Sequence, residues 1–82
     1  MRNRSRIGEV VREERRARGL TQGELADLSG TGFNFISQLE RGKATVRLDK
    51  LLAVLEVLGL SLFARSGTRT IELERREDLD AD

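Results

Sequence analysis

The sequence predicts an all-α domain of four to five helices that ends in a short β-strand or ribbon used in dimerisation. Three observations carry this prediction. Apolar residues recur at helical spacing as far as residue 58, and glycines separate the helical segments because the chain contains no proline. After residue 59 the apolar residues alternate with polar ones, as they do in half-buried strands.

The first helix is expected to follow a basic arm. Residues 1–6 read "MRNRSR" and carry three arginines. Residues 7–18 are rich in charge and have a sparse apolar stripe, so they predict a surface helix with a narrow buried side. That stripe consists of Ile7, Val10, Val11 and Ala17. Gly19 ends the helix in the usual C-terminal role of glycine.

The clearest local signal is the segment "LTQGELADLSG", which contains a capping box. Thr21 is followed three residues later by Glu24, so each side chain can bond the backbone N–H group of the other residue. Leu20 and Leu25 are placed as a hydrophobic staple across the same helix start. We therefore expect a short helix over residues 22–29.

A second short helix is predicted over residues 32–41. Ile36 and Leu39 have the spacing of one inward face, and Gly42 ends the segment. The later run "LDKLLAVLEVLG" predicts a longer helix that forms the main wall of the core. Its expected apolar face consists of Leu48, Leu51, Leu52, Leu55 and Leu58.

The remaining chain divides into a ribbon and a tail, so the predicted domain of residues 7–60 is followed by segments 61–76 and 77–82. Ser66 and Gly67 are turn candidates between two alternating stretches. A two-stranded ribbon is marginal alone in water, so we expect it to pair with a second copy. The predicted dimer contacts are Leu60, Leu62, Phe63, Ile71 and Leu73. The tail "EDLDAD" is expected to be disordered.

The composition of the chain argues against several classes of function. The chain has 82 residues and a formal charge of +1, with no cysteine and no histidine. Residues 1–47 hold ten Lys or Arg and six Asp or Glu, so the basic half is the one expected to face a polyanion. The missing residue types argue against an enzyme, a metal site or a cofactor. No run suits a membrane span or a signal peptide, which predicts a cytoplasmic protein.

Two short helices joined by a tight turn in a basic domain are typical of a helix-turn-helix DNA reader. The segments "GLTQGELADLSG" and "FISQLERGK" resemble the helix-turn-helix of the lambdoid phage repressor and Xre family. The continuation "ATVRLDKLLAVLEVLGLSLFARSG" resembles the HipB-type antitoxins. These resemblances imply a lambda-repressor-like fold and a homodimeric repressor that binds an inverted-repeat operator in double-stranded DNA. The HipB likeness also implies a partner toxin, a kinase of the HipA type.

Base recognition is expected on the second short helix, on the side opposite Ile36 and Leu39. Asn34 and Gln38 carry amides that can pair with the donor and acceptor of adenine, and Phe33 can press on thymine methyl groups. The predicted base contacts are Phe33, Asn34, Ser37 and Gln38. For Phe33 and Phe35 the alternative is an ordinary place in the core.

Phosphate contacts are expected around the ends of both short helices. Gln22 lies in a first helical turn, where free N–H groups and the helix dipole favour an anion. An ordinary exposed glutamine is the alternative. The predicted phosphate contacts are Thr21, Gln22, Thr31, Phe35, Arg41, Lys43 and Arg47. The arginines of the arm are further candidates.

The family resemblance also implies an ion pair and reveals two departures. Arg15 and Glu40 occupy the places of an arginine and a glutamate that pair in the resembled family. Glu14 stands where that family usually has an apolar residue, and Gly32 stands where it prefers a Ser or Thr cap. Two other functions stay open, namely a solitary Xre-type regulator without a toxin and a protein-interaction module that does not bind DNA.

Overall fold

The computed structural model describes residues 4–65 and 70–75, and it describes side chains for residues 6–64 and 73–75. Its elements are α1 (Arg4–Ala17), α2 (Gln22–Ser29), α3 (Phe33–Glu40), α4 (Leu48–Leu58), β1 (Leu60–Arg65) and β2 (Thr70–Arg75). The predicted all-α fold with a C-terminal ribbon is confirmed. The predicted turn at Ser66 and Gly67 and the acidic tail of residues 77–82 lie outside the described residues, as does Arg2 of the arm.

Helix α1 begins earlier than the sequence predicts. It starts at Arg4, inside the segment assigned to the arm, and ends at Ala17. The first four N–H groups of a helix have no intrahelical partners, and water can satisfy them where the helix end is in solvent, so polar residues before Ile7 are compatible with a first turn. Val11 is fully buried, whereas Ala17 is exposed and does not belong to the buried stripe predicted for it.

Helix α1 approaches α3 closely at Gly8, which the sequence does not mark as special. A Cβ atom at this position would overlap the carbonyl oxygen of Leu39 and lie 3.2 Å from the Cα atom of Glu40. Real Cβ atoms do not come so near to backbone, so only glycine allows this contact. Gly8 therefore sets the distance between α1 and the end of α3.

Helix α2 has the boundaries that the capping box predicts. The hydroxyl of Thr21 accepts the N–H of Glu24 at 3.0 Å, and the carboxylate of Glu24 accepts the N–H of Thr21 at 2.9 Å. Gly30 ends the helix with φ 70°, in the left-handed region that glycine adopts without strain. The chain then turns directly into α3.

The core lies between the four helices and the start of β1. On α4 its members are Leu51, Val54, Leu55 and Leu58. Leu48 and Leu52 were predicted to share this face, but they are 58% and 47% exposed, so that prediction is wrong. The buried side of a 3.6-residue helix is centred on Leu51 and Leu58, and Leu48 and Leu52 fall on its flank.

The ribbon packs on helices of its own chain. Strands β1 and β2 are antiparallel, with Leu62 opposite Leu73, and both leucines pack against the core. Leu60 is 3% exposed and is itself a core residue, so its predicted place in a dimer contact is wrong. The reason is the connection: only Gly59 separates α4 from β1, so the first strand residue stays beneath the helices.

Glu14, which stands where the resembled family has an apolar residue, forms an ion pair with the ribbon. Its carboxylate lies 3.2 Å from Nε of Arg18, one helical turn further on, and 3.9 Å from Nε of Arg75 in β2. The side chain is only 17% exposed although both arginines reach solvent. A charge at this position is therefore matched by two cations, and it links α1 to the second strand.

Candidate nucleic-acid interface

Helix α3 has two distinct sides. Ile36, Leu39 and Glu40 are buried, and they fix the helix against the body of the domain. The helix begins after Gly32, which supplies no side-chain cap. A glycine at this place costs a helix only a few tenths of a kcal/mol compared with Ser or Thr. The orientation of α3 therefore depends on its buried side rather than on its first turn.

The opposite side of α3 stands clear of the chain. Phe33 is 55% exposed, Asn34 and Gln38 are exposed, and Ser37 is half-buried. We call these four residues the reading face. A major groove is about 12 Å wide and admits a helix with its side chains. The described part of the chain leaves the reading face accessible for such a contact.

Phe35 has a different environment from Phe33. It is half-buried and packs against the core, and Nζ of Lys50 lies 5.8 Å from the centroid of its ring. The ring carries no hydrogen-bond donor and points toward the start of α4, where apolar contact is available. This corrects the predicted phosphate contact of Phe35, which is instead a packing residue between α3 and α4.

Glu40 collects three hydrogen bonds from two other helices. Arg15 of α1 donates to it through Nε at 2.6 Å and through Nη2 at 3.0 Å, and Gln22 of α2 donates through Nε2 at 2.9 Å. Arg15 also donates to the carbonyl of Leu20 at 2.8 Å. The predicted pair of Arg15 and Glu40 is thus present, and it holds α1, α2 and α3 together.

The network favours the charged form of Arg15. The hydrogen bond to Glu40 raises the pKa of Arg15, although burial opposes this shift. Both side chains are almost completely buried, so each charge depends on the other for its stability. Gln22 is consequently not a freely rotating surface glutamine. One of its amide hydrogens is held by Glu40, which turns the remaining amide groups in a defined direction.

A threonine precedes each of the two short helices: Thr21 caps the start of α2, and Thr31 lies in the turn before α3. Thr21 accepts the N–H of Glu24, and its hydroxyl hydrogen is not used in that bond. Thr31 is half-buried, with its hydroxyl 2.9 Å from the hydroxyl of Ser29. Ser29 in turn bonds the carbonyl of Leu25 at 2.8 Å. Thr21 is therefore the more accessible of the two predicted phosphate contacts.

A basic groove of about 460 Å³ lies beside the reading face, between α3 and the start of α4. Its lining residues are Phe35, Gln38, Lys43, Thr45, Val46, Arg47 and Lys50. Lys43 donates from Nζ to Oε1 of Gln38 at 3.1 Å, so the amide group of Gln38 is oriented from the loop after α3. The groove brings three cations, Lys43, Arg47 and Lys50, to one side of the reading face.

Arg47 and Arg41 complete the predicted cations. Arg41 follows α3 directly and is exposed. Arg47 precedes α4, and its guanidinium is bound to Asp49 through Nη2 at 2.7 Å and Nε at 3.2 Å. That hydrogen bond lowers the pKa of Asp49, so the carboxylate is ionised at neutral pH.

The sequence did not predict two site residues and one contact. Lys50 lines the basic groove, and Asp49 forms an ion pair with Arg47. Glu40, which was expected only to pair with Arg15, also accepts a hydrogen bond from Gln22. The spacing of Arg47, Asp49 and Lys50 around a helix start was a usable signal for the first two residues. Nothing local could reveal the bond between Gln22 and Glu40, because 18 positions separate them in the sequence.

The described residues contain no group of three His, Cys, Asp or Glu side chains able to hold a metal ion. None of the described helices combines the length and apolar character that crossing a bilayer requires. Among the described side chains, every buried nitrogen or oxygen atom has a hydrogen-bond partner.

Comparison with known proteins agrees with this geometry. The profile of the helix-turn-helix family matches residues 11–64, which run from the middle of α1 into β1. The uncharacterized HTH-type transcriptional regulator y4mF of Sinorhizobium fredii is 46% identical over 56 residues. The aligned part covers 68% of this chain and 74% of that protein. The family match therefore includes both short helices and the core residues from Val11 to Leu60.

Proposed function

Because this chain belongs to the helix-turn-helix family of DNA-binding transcription regulators, we propose that it is a sequence-specific repressor that reads its operator through α3. It is a regulator and not an enzyme. The observation that carries the proposal is the exposure of Phe33, Asn34 and Gln38 on the side of α3 away from the core. Such a protein acts where the chromosome is, which in a bacterium is the cytoplasm.

The reading face supplies the direct contacts to bases. Asn34 and Gln38 are exposed amides, and each can form the paired donor and acceptor contact that selects adenine. A good contact of this type discriminates by about 1–3 kcal/mol. Phe33 adds apolar contact with thymine methyl groups, and Ser37 adds a hydroxyl. Lys43 supports Gln38 by its hydrogen bond to Oε1.

The surrounding polar groups bind the phosphates on either side of α3. Gln22 and Thr21 stand at the start of α2, where the amide held by Glu40 is already oriented. Thr31 lies in the turn that precedes α3. Arg41, Lys43 and Arg47 follow α3 and contact phosphates on its C-terminal side. Contacts of this kind position the reading face without selecting a sequence.

A dimer follows from the size of the reading face, since one short helix covers only part of a site. Two copies related by a twofold axis would place their α3 helices in major grooves about 34 Å apart. We assign the contact between copies to the outer side of the ribbon. There Phe63 is half-buried on the strand face opposite Leu62. The other predicted contacts, Leu62, Ile71 and Leu73, lie by register on the opposite strand face, and the side chain of Ile71 is outside the described residues.

We further propose that the chain is an antitoxin of the HipB type and binds a HipA-like kinase toxin. The support is the resemblance of residues 44–67 to that group, together with an acidic tail able to contact a second protein. Examination of the neighbouring reading frame tests this step. An adjacent kinase-like gene whose product co-purifies with this chain is the expected result. A neighbouring gene of another kind would indicate that the chain is a solitary regulator without a toxin.

The DNA-binding proposal is tested by titrating a fluorescent 20-base-pair random duplex at 50 to 200 mM salt. A chain that makes six or more phosphate contacts should lose affinity by about 10³ or more over this range. Gln22→Ala should weaken this binding, whereas Asn34→Ala should affect only a selected operator. Binding that stays constant with salt would instead support a protein-interaction module.

A further inference from the structure

Arg47 already forms an ion pair with Asp49 in the free protein. Its Nη2 lies 2.7 Å from Oδ2 of Asp49, and its Nε lies 3.2 Å from Oδ1 of the same carboxylate. Asp49 is held in place by a second bond, because its Oδ1 accepts the N–H of Lys50 at 2.8 Å. Both charged side chains are largely exposed, at 69% and 66%. Arg47 lines the basic groove.

The geometry of this pair is that of a guanidinium bound to an oxyanion. Arginine binds carboxylates and phosphates in the same way, with two parallel N–H groups directed at two oxygens. The two N–H groups that Arg47 gives to Asp49 therefore form an edge of the guanidinium that could equally bind a DNA phosphate. A phosphate that uses this edge must displace Asp49, and a phosphate that uses the Nη1 edge must approach beside the negative carboxylate.

We propose that Asp49 is an internal competitor of the DNA backbone for Arg47, and that it lowers the affinity of the protein for any duplex. This inference rests on the proposed phosphate contact of Arg47. Lys43 and Lys50 also line the basic groove, so Asp49 reduces the available positive charge at one of its three cations. The remaining cations still attract a duplex, and the exchange at Arg47 occurs only on close contact.

The competition has a characteristic effect on recognition. Phosphate contacts are alike at every sequence, so Asp49 should weaken operator and random duplex by the same factor. The ratio of the two affinities should not change. An exposed ion pair is modest in strength, so removing the competitor should tighten binding by about two- to fivefold.

An acidic residue in the first turn of a helix has another possible role, since it interacts favourably with the helix dipole. That role would appear in the stability of α4 but would not act through Arg47. A double-mutant cycle separates the two roles because it asks whether the effect of Asp49 requires Arg47. The cycle uses Asp49→Asn, Arg47→Gln and the double variant.

The experiment measures dissociation constants of the full chain for a 20-base-pair random duplex and for an operator obtained by selection. Asp49→Asn should tighten both by about two- to fivefold. It should cause no further change when Arg47 is already replaced by Gln. Asp27→Asn is the matched control, because it removes one exposed negative charge from α2 and should have a smaller effect. Asp49→Ser serves as a second variant if Asp49→Asn melts early.

Three results would overturn the proposal: unchanged affinity in Asp49→Asn, an equal gain in Asp27→Asn, or a gain that persists in the Arg47→Gln background. These results are distinct from failure of the proposed function. A wild-type chain that binds neither duplex would contradict DNA binding itself. If the wild-type chain binds with steep salt dependence but the double-mutant cycle shows no coupling between Asp49 and Arg47, only the role of Asp49 is contradicted.

Discussion

Arg15 of α1 and Glu40 of α3 form a two-point ion pair, with N–O distances of 2.6 and 3.0 Å and almost no exposure to solvent. The same carboxylate also accepts a hydrogen bond from Gln22. The residue that anchors the reading helix therefore also orients a predicted phosphate contact. Glu40 contributes to the stability of the domain and orients Gln22, so substitutions of Glu40 should affect both the stability and the proposed DNA binding.

Glu40→Ala should destabilise the domain by about 3–5 kcal/mol, because it leaves the buried guanidinium of Arg15 without its partner. Urea unfolding followed by circular dichroism measures this change. Replacing both partners, as Arg15→Met with Glu40→Leu, removes the buried charges together and should cost less than the single substitution. A loss below about 1 kcal/mol in Glu40→Ala would show that the pair contributes little.

Gly8→Ala should destabilise the domain although alanine favours helices. The new Cβ atom would meet the carbonyl of Leu39, so α1 or α3 must move, at a cost of about 1–3 kcal/mol. Gly23→Ala is the control, because its Cβ atom would lie 3.9 Å from the hydroxyl of Thr21, an ordinary contact. That variant should be neutral or more stable by up to about 1 kcal/mol. Equal melting temperatures for both variants would contradict the close approach at Gly8.

Phe33→Ala should leave the melting temperature nearly unchanged, because the ring is more than half exposed at the start of α3. It should reduce the preference for a selected operator over random duplex, since apolar contact with thymine is lost. Leu25→Ala provides the contrast, because this fully buried residue should cost about 2–5 kcal/mol. A large drop in melting temperature for Phe33→Ala would place the ring in the core.

Glu14→Ala should loosen the ribbon, because it removes the carboxylate that lies between Arg18 and Arg75. Hydrogen exchange measures this effect. Compared with the wild type, the amides of β2 should exchange faster, and this increase should be larger than any increase in α2. Glu13→Ala removes an exposed neighbour of the same charge and should leave the β2 amides unchanged. Identical exchange in the two variants would mean that apolar packing alone holds the ribbon.

Elements set by local chemistry could be predicted from the sequence. The capping box at Thr21 and Glu24 fixed the start of α2, and Gly30 fixed its end, because both signals act over a few residues. The pair of Arg15 and Glu40 came from a family resemblance rather than from spacing. The exposed amides of the reading face were predicted from the apolar positions on the other side of α3.

Features that depend on distant parts of the chain could not be predicted. Leu48 and Leu52 have helical spacing like that of the core leucines, and only the arrangement of the other helices leaves them exposed. Phe35 is half-buried because α4 begins beside it. Glu14 departs from the family pattern in the sequence, and only the fold shows that Arg75 of β2 lies near its carboxylate. Leu60 was assigned to a partner although its own helices cover it.

The central claim is that the reading face of α3 selects the DNA sequence, and selection of bound duplexes from a random pool tests it most directly. Wild-type protein should enrich an inverted repeat with half-sites about 10 base pairs apart. Asn34→Ala should enrich the same spacing but lose preference at one position in each half-site. Identical sequence preferences in the two proteins, or no enrichment by the wild type, would contradict the account.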